Sequence, residues 1–145
     1  MEIYTIGFAK KTAAQFFGAL KDAHIHRLLD VRLNNSSQLA GFTKQRDLPY
    51  FLKEICGVEY LHEPLLAPTQ EILTAFKKKK GKWEDYERSF LELMVQRRIE
   101  DVLLGDSFVS PTVLLCSEPT PEHCHRRLVA EYLQARWGGI RIIHL

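Results

Sequence analysis

Cysteine is scarce and odd in number: three thiols in 145 residues cannot make a closed disulfide framework, so a reducing cytoplasm is the expected setting. Long apolar runs are missing too. Nothing approaches the roughly 20 residues a membrane-spanning helix needs, and Met1-Glu2-Ile3-Tyr4 has neither the basic nor the apolar region of a secretory signal. No charge sign dominates, since 20 Lys+Arg against 18 Asp+Glu leave +2, which argues against a protein devoted to nucleic acid. Internal repeats, low-complexity tracts and Pro/Gly/Ser linkers are absent, so a single domain spanning residues 1–145 is expected. Gly-rich phosphate fingerprints are absent as well, and no cofactor is expected.

What is present is an alternation of short apolar runs with amphipathic stretches. Residues 3–6, 28–31, 58–61, 112–116 and 140–143 read as strands. Thr12 caps a helix with the stripe Ala13, Phe16, Phe17 and Leu20. Residues 48–55 are helical in period and stop at Gly57, and helices are expected over 69–79, 83–99 and 121–136. This pattern predicts an α/β fold: a mostly parallel five-stranded sheet with helices on both faces, half of a doubly wound Rossmann-like arrangement, in an order such as 3-2-1-4-5.

Ligands of open parallel sheets bind beyond the carboxyl ends of the strands. Those ends carry Gly7 after the first strand, Asp30 and Arg32 with Asn34 and Asn35 after the second, His62 after the third, and Cys116-Ser117-Glu118 after the fourth. The segment Cys116 to Arg127 is the richest. Thr120-Pro121 reads as a helix start, and the stripe Leu128, Val129, Tyr132 and Leu133 turns His125 inward, toward Cys116, with Cys124 and Arg126 on its margins. A helix N-terminus favours a thiolate or a bound oxyanion and disfavours imidazolium. Cys116 is therefore the candidate nucleophile or redox thiol and His125 its acid/base or orienting partner, with Arg32 and Arg126 as an anion clamp. Cys124, Glu118 and Asp30 complete the candidate catalytic set, and His62, Asn34 and Gly7 the binding set. Glu118 opposes a thiolate unless it is paired or protonated.

Each residue also has a bland reading. A cysteine ending a core strand is commonly a small hydrophobe, a histidine on an apolar stripe is commonly a hydrogen-bonded core residue, and Asp30 with Arg32 can be a structural pair. Convergence of these types on one sheet edge favours chemistry. Cys116, Cys124, His123, His125 and His62 are zinc-type donors, yet no Cys-x-x-Cys exists, and adjacent helical positions 124 and 125 would diverge by 100°. Metal is the lesser alternative. The run Lys77, Lys78, Lys79, Lys80 and Lys82 with Trp83 supports another, a non-catalytic nucleotide or nucleic-acid binding module. A small anionic substrate is the expected partner of the thiol site.

The set Tyr4-Thr5-Ile6-Gly7, Asp30-Val31-Arg32, Tyr60-x-His62-x-Pro64, Leu115-Cys116-Ser117-Glu118 and Cys124-His125-Arg126 resembles the family called domain of unknown function 488. The resemblance implies a small α/β domain whose paired cysteine segment lies in the active site, and it implies no particular reaction. Many members carry histidine after the first-strand glycine, where this chain has Phe8. A looser likeness to rhodanese-type sulfurtransferases stops at the chemistry, because the first arginine lies ten residues beyond Cys116 and no Cys-x5-Arg loop exists.

Overall fold

The apolar runs form five parallel strands, β1 (Glu2–Gly7), β2 (Arg27–Asp30), β3 (Glu59–His62), β4 (Thr112–Cys116) and β5 (Arg141–His144), in a computed structural model that describes residues 1–103 and 105–145. Their spatial order is β3-β2-β4-β1-β5. The expected α/β class and five-stranded parallel sheet hold, while the expected central order is corrected: β4 lies between β2 and β1. The reason is burial. All five residues of β4 are buried, and a strand covered on both faces and paired on both edges belongs in the middle of a parallel sheet.

Alternation along β4 divides the core. Val113 and Leu115 face a cluster with Ile6 and Leu28 on the sheet and Phe16, Phe17 and Leu20 from α1 (Ala13–Asp22). Leu48 of α2 (Leu48–Phe51) and Leu52, in the wider helical turn Leu52–Cys56, extend that cluster, and Gly57 ends the turn in the left-handed region. Leu114 and Cys116 face the other side, where Tyr86, Phe90 and Met94 of α4 (Trp83–Arg97) meet Leu128, Val129 and Leu133 of α6 (His125–Trp137). The shorter α3 (Gln70–Lys77) packs on α4, and α5 (Ile99–Val102) follows a left-handed Arg98. Thr12 and Gln15 form a reciprocal capping box at α1, as S/T-x-x-Q sequences favour. Ala13, expected in the α1 stripe, lies exposed in its first turn. Among the described residues no helix is long and apolar enough to cross a membrane.

The last helix begins four residues later than Thr120-Pro121 suggested. α6 starts at His125, and Cys124 is its N-cap in an extended conformation, φ −140° and ψ 135°. The Arg127 side chain holds the carbonyls of Pro121 and Glu122, so the intervening segment is a strapped loop rather than a helical turn. This tertiary clamp overrides the local capping signal, and it changes where Cys124 points.

Candidate thiol site at the sheet edge

The carboxyl end of β4 and the first turn of α6 meet over a cavity of about 160 Å³. Cys116, Cys124 and His125 form its floor; Arg32, Asn34, Lys77 and Glu118 stand beside them, and Leu73, Phe76, Tyr86 and His123 make an apolar wall. Cys116 Sγ lies 3.5 Å from His125 Nδ1. The opposite ring nitrogen, Nε2, is 2.6 Å from the Val31 carbonyl, which can only accept a hydrogen bond, so Nε2 carries the proton and Nδ1 faces the thiols. The two sulfurs and an imidazole nitrogen all lie within 4.8 Å of one another. Cys124 and His125 thus share one site, contrary to the expected 100° divergence, because Cys124 precedes the helix instead of lying within it.

The two thiols are electrostatically unequal. Burial pushes the Cys116 thiol up, but a hydrogen bond from Cys124, the backbone N–H groups of Ser117 and Glu118 and the charge of Arg126 together outweigh it and leave the thiol below its ordinary value. Cys124 is pushed well up, first by burial and then by hydrogen bonding to Cys116 and by the negative charge there. Burial lowers the His125 imidazole, against the Cys124 charge and the Val31 carbonyl, which favour its proton. Tyr86 above the thiols is raised by burial and by the neighbouring Cys116, Cys124 and Glu118 charges.

Arg126 is almost wholly buried, donates from Nη1 to the Glu118 carbonyl at 2.8 Å, and has no hydrogen-bond partner at Nε. Among the described residues no carboxylate pairs with it. A buried guanidinium without a counter-charge is costly, and its charge is one of the influences that lower the Cys116 thiol. Arg126 does not line the cavity; it acts through the loop it holds. Glu118 forms an ion pair with Lys77 at 2.6 Å, which removes the objection that its charge opposes a thiolate. Lys78, Lys79, Lys80 and Lys82 remain exposed between α3 and α4.

Several expected site residues are engaged by partners elsewhere or lie outside the cavity lining. Asp30 is fully buried and away from the cavity: its carboxylate takes two N–H groups of the Arg32 guanidinium at 2.8 Å each, the Tyr60 hydroxyl at 2.6 Å and Asn35 at 3.2 Å. Burial raises Asp30, yet Arg32 and Tyr60 outweigh it and hold the carboxyl below its usual range. Arg32 also donates to the Thr43 hydroxyl and carbonyl, leaving one guanidinium N–H for a ligand. Phe8 lies over the face of that guanidinium, 5.4 Å from ring centroid to carbon. His62 is exposed and contacts the Arg32 carbonyl at 3.0 Å, outside the cavity. Gly7 provides space rather than a ligand contact, for it lies against the Glu118 carbonyl. His123 stacks on Trp83, with centroids 4.9 Å apart, and does not join the donor trio.

Sequence reasoning passed over Tyr60 as an Asp30 partner, Thr43 as an Arg32 partner, and the Phe76–Tyr86 wall. Tyr60 belongs to the Tyr60-x-His62-x-Pro64 segment; Thr43 carries no local signal, because its partner lies 11 residues away.

A pH dependence follows. An unfolded histidine titrates near 6.5 and the folded His125 below it, so as pH falls through 6.5 the unfolded chain binds the proton first and stability declines. Asp30 acts with the same sign at lower pH: its stabilisation is complete above 3.8 and is lost as pH falls through its lowered value. Urea midpoints measured from pH 8 to 3 should therefore fall in two stages. In His125→Gln the upper stage should become shallower, with a remainder from His144, whose imidazole is also lowered by burial and by Arg126. An unchanged upper stage would contradict a neutral His125.

A family model described as "Domain of unknown function DUF488" matches residues 12–133 of this chain. No curated protein and no solved structure matches it.

Proposed function

This chain belongs to the DUF488 family, whose name assigns no reaction, and from the geometry of its cavity floor we propose a thiol-dependent enzyme acting on a small anionic substrate. Cys116 is the nucleophile, and His125 Nδ1 takes or returns its proton. The Val31 carbonyl orients the ring, as the third group of a nucleophile–base–orienter relay does. The observation that carries this reading is the contact of Cys116 Sγ with Nδ1 of an imidazole whose other nitrogen is already committed. Arg32, with one guanidinium N–H unspent, and Lys77, which a substrate anion would take over from Glu118, line the cavity together with the Asn34 amide. Asp30 and Arg126 are positioning residues: one fixes Arg32, the other the loop after Cys116.

Iodoacetamide alkylation followed by peptide mapping across pH 5–10 tests the assignment. Cys116 should react first, with a midpoint below the free-thiol value of about 8.5, while Cys124 and Cys56 react slowly. Cys116→Ser should lose the fast phase altogether. Three thiols reacting alike, with an ordinary midpoint, would remove the nucleophile role.

The mutual approach of three buried donors favours a second reading. Two thiolates and Nδ1 would occupy three positions of a tetrahedral zinc ion and leave the fourth toward the cavity, with the Val31 carbonyl as the outer partner of the ligating histidine. Elemental analysis of purified protein, with a cobalt titration read in the thiolate-to-metal absorption bands, separates the two readings.

A further inference from the structure

Three cysteines are distributed unevenly over the sheet. Cys56 lies on the α1 side, with its Sγ 3.7 Å from the Phe17 carbonyl, whereas Cys116 and Cys124 meet on the opposite face, at the floor of one cavity. Seven residues lie between that pair in sequence, and the loop they form is held at three carbonyls by Arg126 and Arg127. The sulfurs are thus kept within 4.8 Å by a strapped loop rather than by chance packing. Cys124, with extended backbone at the N-cap, contributes no side-chain hydrogen bond to the cap. Its thiol is free of the capping duty that a residue there commonly has.

We propose that Cys124 is the resolving thiol for Cys116, so that the site performs thiol–disulfide exchange with a low-molecular-weight disulfide carrying a negative group; this rests on the reading of Cys116 as attacking thiol. Cys116, having lost its proton, attacks one sulfur of the substrate disulfide. The substrate S–S bond breaks, one thiol leaves with a proton from solvent, and a mixed disulfide remains on Cys116. Cys124 then passes its proton to His125 Nδ1 and attacks the Cys116 sulfur. The second substrate thiol leaves, taking that proton from His125. Two protein thiols are oxidised by two electrons to one Cys116–Cys124 disulfide, and one substrate disulfide is reduced to two thiols. An external dithiol returns the protein to its starting state.

The local charges suit this order of events. A substrate sulfur entering beside Lys77 and Arg32 meets Cys116 in the lining of the same cavity. Cys124 lines the same cavity at the amino end of α6, where the helix dipole offsets part of the burial cost of the thiolate that must form in the second step. His125 Nδ1 is 3.5 Å from the Cys116 sulfur and the imidazole lies within 4.8 Å of both sulfurs, so no large movement separates the steps.

The test uses fully reduced, chelator-treated protein with bis(carboxymethyl) disulfide as the probe. Released mercaptoacetate is counted, and the protein is quenched, alkylated and mapped by mass spectrometry. The wild type should release two equivalents, lose two hydrogens in mass and yield a peptide cross-link between Cys116 and Cys124, with Cys56 still alkylated. Cys124→Ser and, should that variant fold poorly, Cys124→Ala should release one equivalent and stop as a stable adduct on Cys116. A wild type that also stops at the Cys116 adduct, with Cys124 still free to alkylate, would overturn the resolving role and leave the nucleophile reading intact. A Cys116 that carries neither adduct nor cross-link, in the wild type and in the Cys124 variants, would overturn both. A cross-link through Cys56, or between two chains, would also overturn the proposal.

Discussion

Asp30→Ala should cost about 3–5 kcal/mol of stability, the range found when one partner of a buried ion pair is removed. The carboxylate is fully buried and meets the Arg32 guanidinium through two hydrogen bonds of 2.8 Å, and Arg32 is only 2% exposed. Deleting Asp30 leaves that buried cation without its partner, and it strands the Tyr60 hydroxyl and the Asn35 amide as well. Urea unfolding of the variant measures the loss. A cost under about 1 kcal/mol, the value of an exposed pair, would show that the pair is not the anchor described. The consequence should reach the thiols. Asp30 fixes the chain at Arg32, and the preceding Val31 carbonyl orients His125. Alkylation of Cys116 in Asp30→Asn, which retains shape but not charge, should therefore lose part of its pH advantage even where the fold survives.

Gly7→Ala should disturb the site more directly. A Cβ on residue 7 would lie 1.7 Å from the Glu118 carbonyl oxygen and 2.8 Å from its carbon, with Arg126 Nη1 at 3.1 Å. The obstruction is backbone, so no rotamer change relieves it, and the loop after Cys116 must move. Overpacking a fitted site costs about 1–3 kcal/mol, and a backbone clash of this depth belongs at the upper end. The displaced loop takes with it the Ser117 and Glu118 N–H groups that favour the Cys116 thiolate and the carbonyl that holds Arg126. The expected result is a folded but less stable protein whose Cys116 alkylation midpoint rises toward that of a free thiol. An unchanged midpoint would mean that those N–H groups do not tune the sulfur.

Both predictions concern residues that the sequence marked for other duties. Asp30 stood out as a candidate catalytic carboxylate and Gly7 as a binding position, because each follows a strand at the edge where ligands bind. Position along a strand is readable from apolar alternation, and the five strands lie within a residue or so of where that alternation puts them. Whether a polar side chain at a strand end faces a cavity or another side chain depends on partners far away in the chain. Tyr60 and Thr43 claim Asp30 and Arg32, 30 and 11 residues away. The glycine is required by an approach between positions 7 and 118, which no window of local sequence contains.

Local chemistry therefore determined the elements, their parallel class and the types of residue delivered to the sheet edge. Hydrophobic periodicity and caps act over a few residues, and these are what a single sequence displays. Tertiary structure alone decided that β4 lies between β2 and β1 and that two cysteines and one histidine share a cavity floor. Those outcomes depend on which buried faces and which long side chains find one another once the sheet has assembled. That competition is non-local, and its result is written in the packed structure rather than in any one segment.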